Sequence, residues 1–259
     1  MTMRLKENWI GLETIVRKEI SRFFRIWTQT LLPPVISMTL YFIIFGHLMG
    51  GRIGDLKGFR YIDYIVPGLI MMSIITSSYG NVVASFFGAK FQRNIEEMLV
   101  SPMPNYIILW GFVLGGVARG VTVGVLVTVV SLFFTKLQLH HVGVVMIVGL
   151  LTALLFSLAG FINAIFAKKF DDINIVPTFV LTPLTYLGGV FYSIDLLPNI
   201  WQNITYINPV FYMINAFRFG MLGRSDIGTH IALWVIFGCV ITLYGISLWL
   251  LKKGVGIKS

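Results

Sequence analysis

The chain has 259 residues, of which 56% are hydrophobic and only 12% charged. A water-soluble domain carries about 25% charged residues, so half that share leaves too little polar surface for a globule in water and assigns most of the chain to lipid. The formal charge of +9 fits basic residues gathered at the cytoplasmic ends of membrane helices; no nucleic-acid-binding signature accompanies it, so nucleic acid is not expected as a partner.

In chain order, the first predicted element covers residues 8–28. On a helical wheel, Trp9, Leu12, Val16, Ile20, Phe23 and Trp27 share an arc of roughly 80°, with Lys18, Arg22 and Arg25 on the opposite side. An apolar stripe bounded by tryptophans, with a basic back face, predicts an amphipathic helix lying in the membrane interface. An early start of the first span is the alternative. The charges Arg17, Lys18, Glu19, Arg22 and Arg25 argue against that burial. No small-residue cleavage site precedes the first apolar run, so no cleavable signal is expected.

Charges are sparse enough to punctuate the rest of the chain. Stretches almost free of charge predict spans at about 29–50, 62–88, 105–134, 143–167, 173–192 and 228–251, the second opening at Asp63 and the third interrupted only by Arg119. Each is at least as long as the ~20 residues that cross ~30 Å of hydrocarbon as helix. Helix is required because backbone amides in lipid must pair within their own segment. Residues 196–217 are also uncharged but hold Pro198, Asn199, Gln202, Asn203, Asn208 and Pro209. They predict a re-entrant or interfacial helical hairpin between spans five and six. With six spans both termini share a side. That side carries the basic residues of 4–25, 90–93, 168–169 and 252–258, against Arg52, Lys57, Arg60, Lys136, Arg218 and Arg224 opposite. The positive-inside rule then predicts cytoplasmic termini. No repeat or low-complexity tract divides the chain, which reads as one all-α polytopic membrane domain.

No GxxxxGK[ST] loop occurs, and in the C-terminal GVGIKS Ile257 stands where the last glycine should be. The chain is therefore expected to bind no nucleotide. His47, His140, His141 and His230 fall near predicted outer span ends without an HExxH pattern, and Cys239 is the single cysteine. No metal site, cofactor or enzymatic constellation is expected. Arg119 lies inside a span, where a charge is either functional, as a substrate contact, or structural, as a snorkelling or internally paired group. Gly116, Gly120 and Gly124 beside it repeat every four residues, a spacing that lets helices approach closely. The second span carries Ser73, Thr76, Ser77, Ser78, Tyr79, Asn81 and Ser85. Ser77 and Asn81 are pathway candidates, unless these groups only bond to the preceding turn or a neighbouring helix. No Asp or Glu is expected to be buried in the spans, which weighs against an ion-coupled carrier. Between spans two and three, AKFQRNIEEMLVSPMP predicts a short charged helix at about 89–101, suited either to docking a partner or to solvent.

Three segments together resemble the membrane permease of ABC-2 type exporters. They are KEISRFFRIWTQTLLPPVISMTLYFIIFG, FQRNIEEMLVSPMP, and VPTFVLTPLTYLGGVFYSIDLLPNIWQNITYINPVFYMINAFRFG with its ordered PLTYLGGVFY, LP, NP and arginine. The chain is especially similar to an enterobacterial inner-membrane transport permease of unassigned substrate. The resemblance covers nearly the whole chain. It implies a homodimer of six-span permeases in the bacterial inner membrane, with two separate ABC ATPase subunits that bind ATP and Mg. It also implies that Lys90, Arg93, Glu96 and Glu97 form the ATPase-coupling helix. The N-terminal helix with Lys18, Arg22 and Arg25 is then a brace against ATPase and bilayer. The export mechanism implied is alternating access, and the substrate a lipid, glycan or amphipathic small molecule.

Overall fold

A computed structural model describes residues 2–256, without the side chains of 2–5 and His47. The side chains of Arg4 and His47, and residues Ile257 and Lys258, lie outside the described part. The described residues are all-α apart from one short hairpin. Among the described residues, five helical segments are long and apolar enough to cross a membrane: Trp27–Ile53, Tyr61–Phe91, Asn105–Ser131, Val142–Phe166 and Thr229–Lys253.

The N-terminal helix α1 (Thr2–Arg25) precedes a first spanning segment built of pieces: α2 (Trp27–Thr30), α3 (Leu32–Tyr41), a π-helical stretch Phe42–Leu48, and α4 (Gly50–Ile53). A tight hairpin, β1 (Asp55–Leu56) and β2 (Phe59–Arg60), leads into α5 (Tyr61–Phe91). Then come α6 (Asn94–Val100), α7 (Asn105–Ser131) and α8 (Val142–Phe166). The stretch expected as span 173–192 forms α9 (Asp172–Val176), a π-helical stretch Pro177–Leu181 and α10 (Thr182–Leu187) in succession. At 1.5 Å per residue this is about 24 Å of rise, less than the ~30 Å of a hydrocarbon core. Pro177 and Pro183 each remove a backbone donor, and Gly189 at φ 80 turns the chain out of the helix. The remainder is α11 (Asn199–Ile207), α12 (Pro209–Leu222) and α13 (Thr229–Lys253).

Helix α5 is the axis of the bundle, buried on nearly every face and flanked by α7 and α8. Glycines make this possible. Gly116, Gly120 and Gly124 of α7 abut Val82, Ser78 and Ile74 of α5. A side chain at Gly160 of α8 would stand 2.6 Å from the Tyr79 carbonyl. A second glycine face on α7 receives α1: methyl-sized groups at Gly111 and Gly115 would lie 2.5 Å from Ile15 and from the Glu19 Cβ. The two helices therefore run parallel, with Gly11 beside Met103 at the start of α7.

The packed face of α1 is Gly11, Ile15, Glu19 and Phe23, roughly 80° around the helix from the predicted apolar stripe. Trp9 and Trp27 of that stripe point outward, 66% and 54% exposed. Lipid and protein thus claim adjacent arcs of one helix. Both described chain ends meet one end of the bundle, Asn8 against Tyr106 and Gly256 against the Ile165 carbonyl, beside α6.

Candidate functional site

At that end, α5 continues through Lys90 to Phe91, so Lys90 belongs to the spanning helix and not to the short helix expected at 89–101. Arg93 at φ 62 breaks the chain before α6. Ile95 anchors α6 from below, fully buried, while Glu96 and Glu97 are exposed in its first turn. Acidic groups there complement the helix dipole. Phe91 and Val100 flank them, 61% and 88% exposed. The result is an acidic ridge with apolar ends. Lys90 turns away from it: its Nζ donates to the carbonyls of Ile165 at 2.6 Å and Ala167 at 2.8 Å. A lysine on the last carbonyls of a helix offsets its negative end, so Lys90 ties the end of α5 to the end of α8.

A buried polar network joins α1 to α5. Glu19 is 0% exposed; its Oε1 accepts from Ser85 Oγ at 2.6 Å and its Oε2 from Arg22 Nη2 at 3.0 Å. The same Arg22 nitrogen donates to Asn81 Oδ1 at 2.9 Å. Of the expected basic face, Lys18 and Arg25 stay exposed, and Lys18 lies 5.9 Å over the Phe112 ring. Arg22 instead turns into the bundle and meets Asn81. Ser77 is buried among α5 neighbours without a hydrogen-bond partner, and Ser73 and Thr76 bond back to their own preceding turns. Glu19 escapes a sequence reading that looks for buried acids within the spans, because it belongs to α1. Its signal is the four-residue spacing of Gly11, Ile15, Glu19 and Phe23, matched by Gly111 and Gly115.

Four further links share one logic. In lipid a carbonyl without an amide partner must find another donor. Pro34 has no N–H, which frees the Thr30 carbonyl; Arg119 Nη2 donates to it at 3.1 Å. Pro177 likewise frees Ile173, which accepts from Asn163 Nδ2 at 3.2 Å. Asn208 Nδ2 reaches the Leu184 carbonyl at 2.7 Å, while its Oδ1 caps α12 through the Val210 amide at 3.0 Å ahead of Pro209. Arg218 Nη2 takes the Gly189 carbonyl at 2.7 Å. Arg119 thus serves a helix break.

At the opposite end of the bundle, Lys57 in the hairpin turn pairs with Asp226 and, at 2.7 Å, with Asp195. Burial alone would lower its ammonium; the hydrogen bonds and charges of Asp195 and Asp226 outweigh this and hold it above the ordinary lysine value. Among the described residues no group of His, Cys, Asp and Glu could hold a metal.

The sequence that builds this bundle, with a short acidic helix and both described chain ends at one end, has counterparts among known proteins. Residues 11–222 match the family described as ABC-2 type transporter. The chain belongs to that family. This ABC-2 permease is 58% identical over 251 residues to the inner membrane transport permease YadH of Escherichia coli K12, covering 97% of this chain and 98% of that one. It is 26% identical over 235 residues to nodulation protein J of Rhizobium meliloti, covering 86% of each. Nodulation protein J of Rhizobium leguminosarum bv. viciae is 23% identical over 253 residues, covering 95% of this chain and 94% of that one. The permease is the membrane subunit of an ABC transporter, a multi-pass protein of the bacterial inner membrane. Permeases of this family have no ATPase activity of their own and work with ABC ATPase subunits.

Proposed function

We propose that this permease is one half of a homodimeric exporter driven by two separate ATPase subunits, which bind the ATP and Mg. Export proceeds by alternating access, and the substrate is a lipid, glycan or amphipathic small molecule. The observation that carries the reading is the exposed ridge of Glu96 and Glu97 on α6, anchored through Ile95 and neighboured by the Lys90 clamp on α8. A push on α6 reaches α5 through the short linker at Arg93 and α8 through Lys90. Lys90 is accordingly a positioning residue, and Arg93, Glu96 and Glu97 face the ATPase.

The topology proposed is six crossings with both termini cytoplasmic, the broken helix Asp172–Leu187 serving as the fifth. Meeting of the two described chain ends at one end of the bundle supports an even number. Residues 196–217, with α12 running on to Leu222, then enter and leave from the outer side as a re-entrant hairpin. Contact of Asn208 with Leu184, and of Pro209 with a groove shared by Leu155 and Gly238, supports that depth. Lys18 and Arg25 lie toward headgroups.

The test is copurification with the ATPase and stimulation of its hydrolysis in lipid. Glu96→Arg with Glu97→Arg should abolish both while leaving the permease folded. Intact cassette binding and coupled hydrolysis in that variant would remove α6 from the interface.

A further inference from the structure

A cavity of about 340 Å³ opens at the end of the bundle away from α6, lined among others by Lys57, Tyr64, Arg218, Arg224 and Asp226. Its charges are unevenly matched. Lys57 meets two carboxylates, Asp226 and Asp195. Arg218 and Arg224 pair with no carboxylate among the described residues. Arg224 stands exposed at the rim, holding the Lys57 carbonyl at 3.0 Å. Arg218 is only 3% exposed, with its guanidinium 4.0 Å over the Tyr64 ring. One of its nitrogens holds the Gly189 carbonyl, while Nε has no partner. A buried cation without a counter-ion is costly, and a guanidinium matches oxyanions in shape as well as charge.

Asp226 also lines the cavity, but Lys57 opposes its charge. Its Oδ2 is buried without a donor. The cavity therefore offers unmet positive charge and one unmet acceptor.

We propose that this cavity binds a phosphate-type oxyanion carrying a neighbouring hydroxyl. The oxyanion meets Arg218 and Arg224, and the hydroxyl donates to Asp226. That chemistry is shared by a polyol phosphate in solution and by the glycerol-phosphate headgroup of an anionic lipid. The assignment stands on the cavity alone and does not require the export reading.

The full-length permease in uncharged detergent is melted with increasing glycerol 3-phosphate, against sodium chloride at equal ionic strength. A second arm adds phosphatidylglycerol, against phosphatidylcholine. A saturable rise in melting temperature is expected in at least one arm: the first identifies a soluble phosphate, the second alone a lipid headgroup. Arg224→Gln, at the exposed rim, should weaken the apparent affinity on the order of fivefold. Arg52→Gln, an exposed cation outside the cavity, should leave it unchanged. Arg218→Lys keeps the charge and loses the fork, and should also weaken binding. No saturable rise in either arm, or one that Arg224→Gln leaves intact, overturns the proposal.

Discussion

The guanidinium of Arg119 donates to the carbonyl of Thr30 at 3.1 Å, the carbonyl that Pro34 deprives of its helical amide. The charge in α7 and the proline in α3 therefore form one functional pair. Arg119→Met should cost about 1–3 kcal/mol, the cost of leaving a buried carbonyl unpaired. Pro34→Ala returns an amide to that carbonyl, so the arginine substitution should cost less in its background. Thermal unfolding of the four proteins of the double-mutant cycle measures the difference. Equal costs in both backgrounds would separate Arg119 from the proline break.

Glu19 and Arg22 form the second pair. Removing one partner of a buried ion pair strands the other, at about 3–5 kcal/mol; Arg22 keeps 30% side-chain exposure, which lowers the expectation for Glu19→Ala to about 2–4 kcal/mol. Glu19→Gln retains an acceptor for Ser85 and should lose less. Limited proteolysis should release α1 sooner in the alanine variant. An N-terminal helix held as tightly as in the parent would rule the network out as its anchor.

The glycines of α7 predict a contrast with α13. A methyl group at Gly120 would strike Ser78 and stand 3.2 Å from the Ile74 carbonyl, whereas one at Gly238 meets nothing within 4 Å. Gly120→Ala should destabilise by about 1–3 kcal/mol through overpacking. Gly238→Ala should be neutral or stabilising by up to about 1 kcal/mol through helix propensity. Melting temperatures of the two variants in one detergent decide it.

Much of this architecture was open to reading from charge spacing, because the bilayer punishes every unpaired backbone group. The long helices α5, α7, α8 and α13 follow their uncharged stretches closely. The stretch 173–192 has the same lack of charge, yet its helix ends at Leu187 and carries a π-helical stretch from Pro177. Counting charges does not register missing donors. Of the candidate site, the acidic turn Glu96–Glu97 stands where its spacing put it. Lys90 and Arg22 turn away from solvent, toward Ile165, Ala167, Glu19 and Asn81, most of them far along the chain. Such partners become visible only once helices pack.

Lys57 predicts a pH dependence. Its folded value is raised above the ordinary one, so its contribution is complete below the unfolded lysine value of about 10.4 and lost only as pH rises through the folded value. The gap in melting temperature between the parent protein and Lys57→Met should then stay constant from about pH 6 to pH 9. A gap that closes inside that window would assign the stabilisation to a titrating group other than Lys57.

The buried carboxylate of α1 also has a consequence for biogenesis. Glu19 leaves the ribosome 66 residues before Ser85, its hydrogen-bond partner, and earlier still than the glycines of α7 that receive it. With only Arg22 of its own helix beside it, a carboxylate remains costly to bring into hydrocarbon. Helix α1 is therefore expected to dock only after α5 and α7, which supply those partners, are in place.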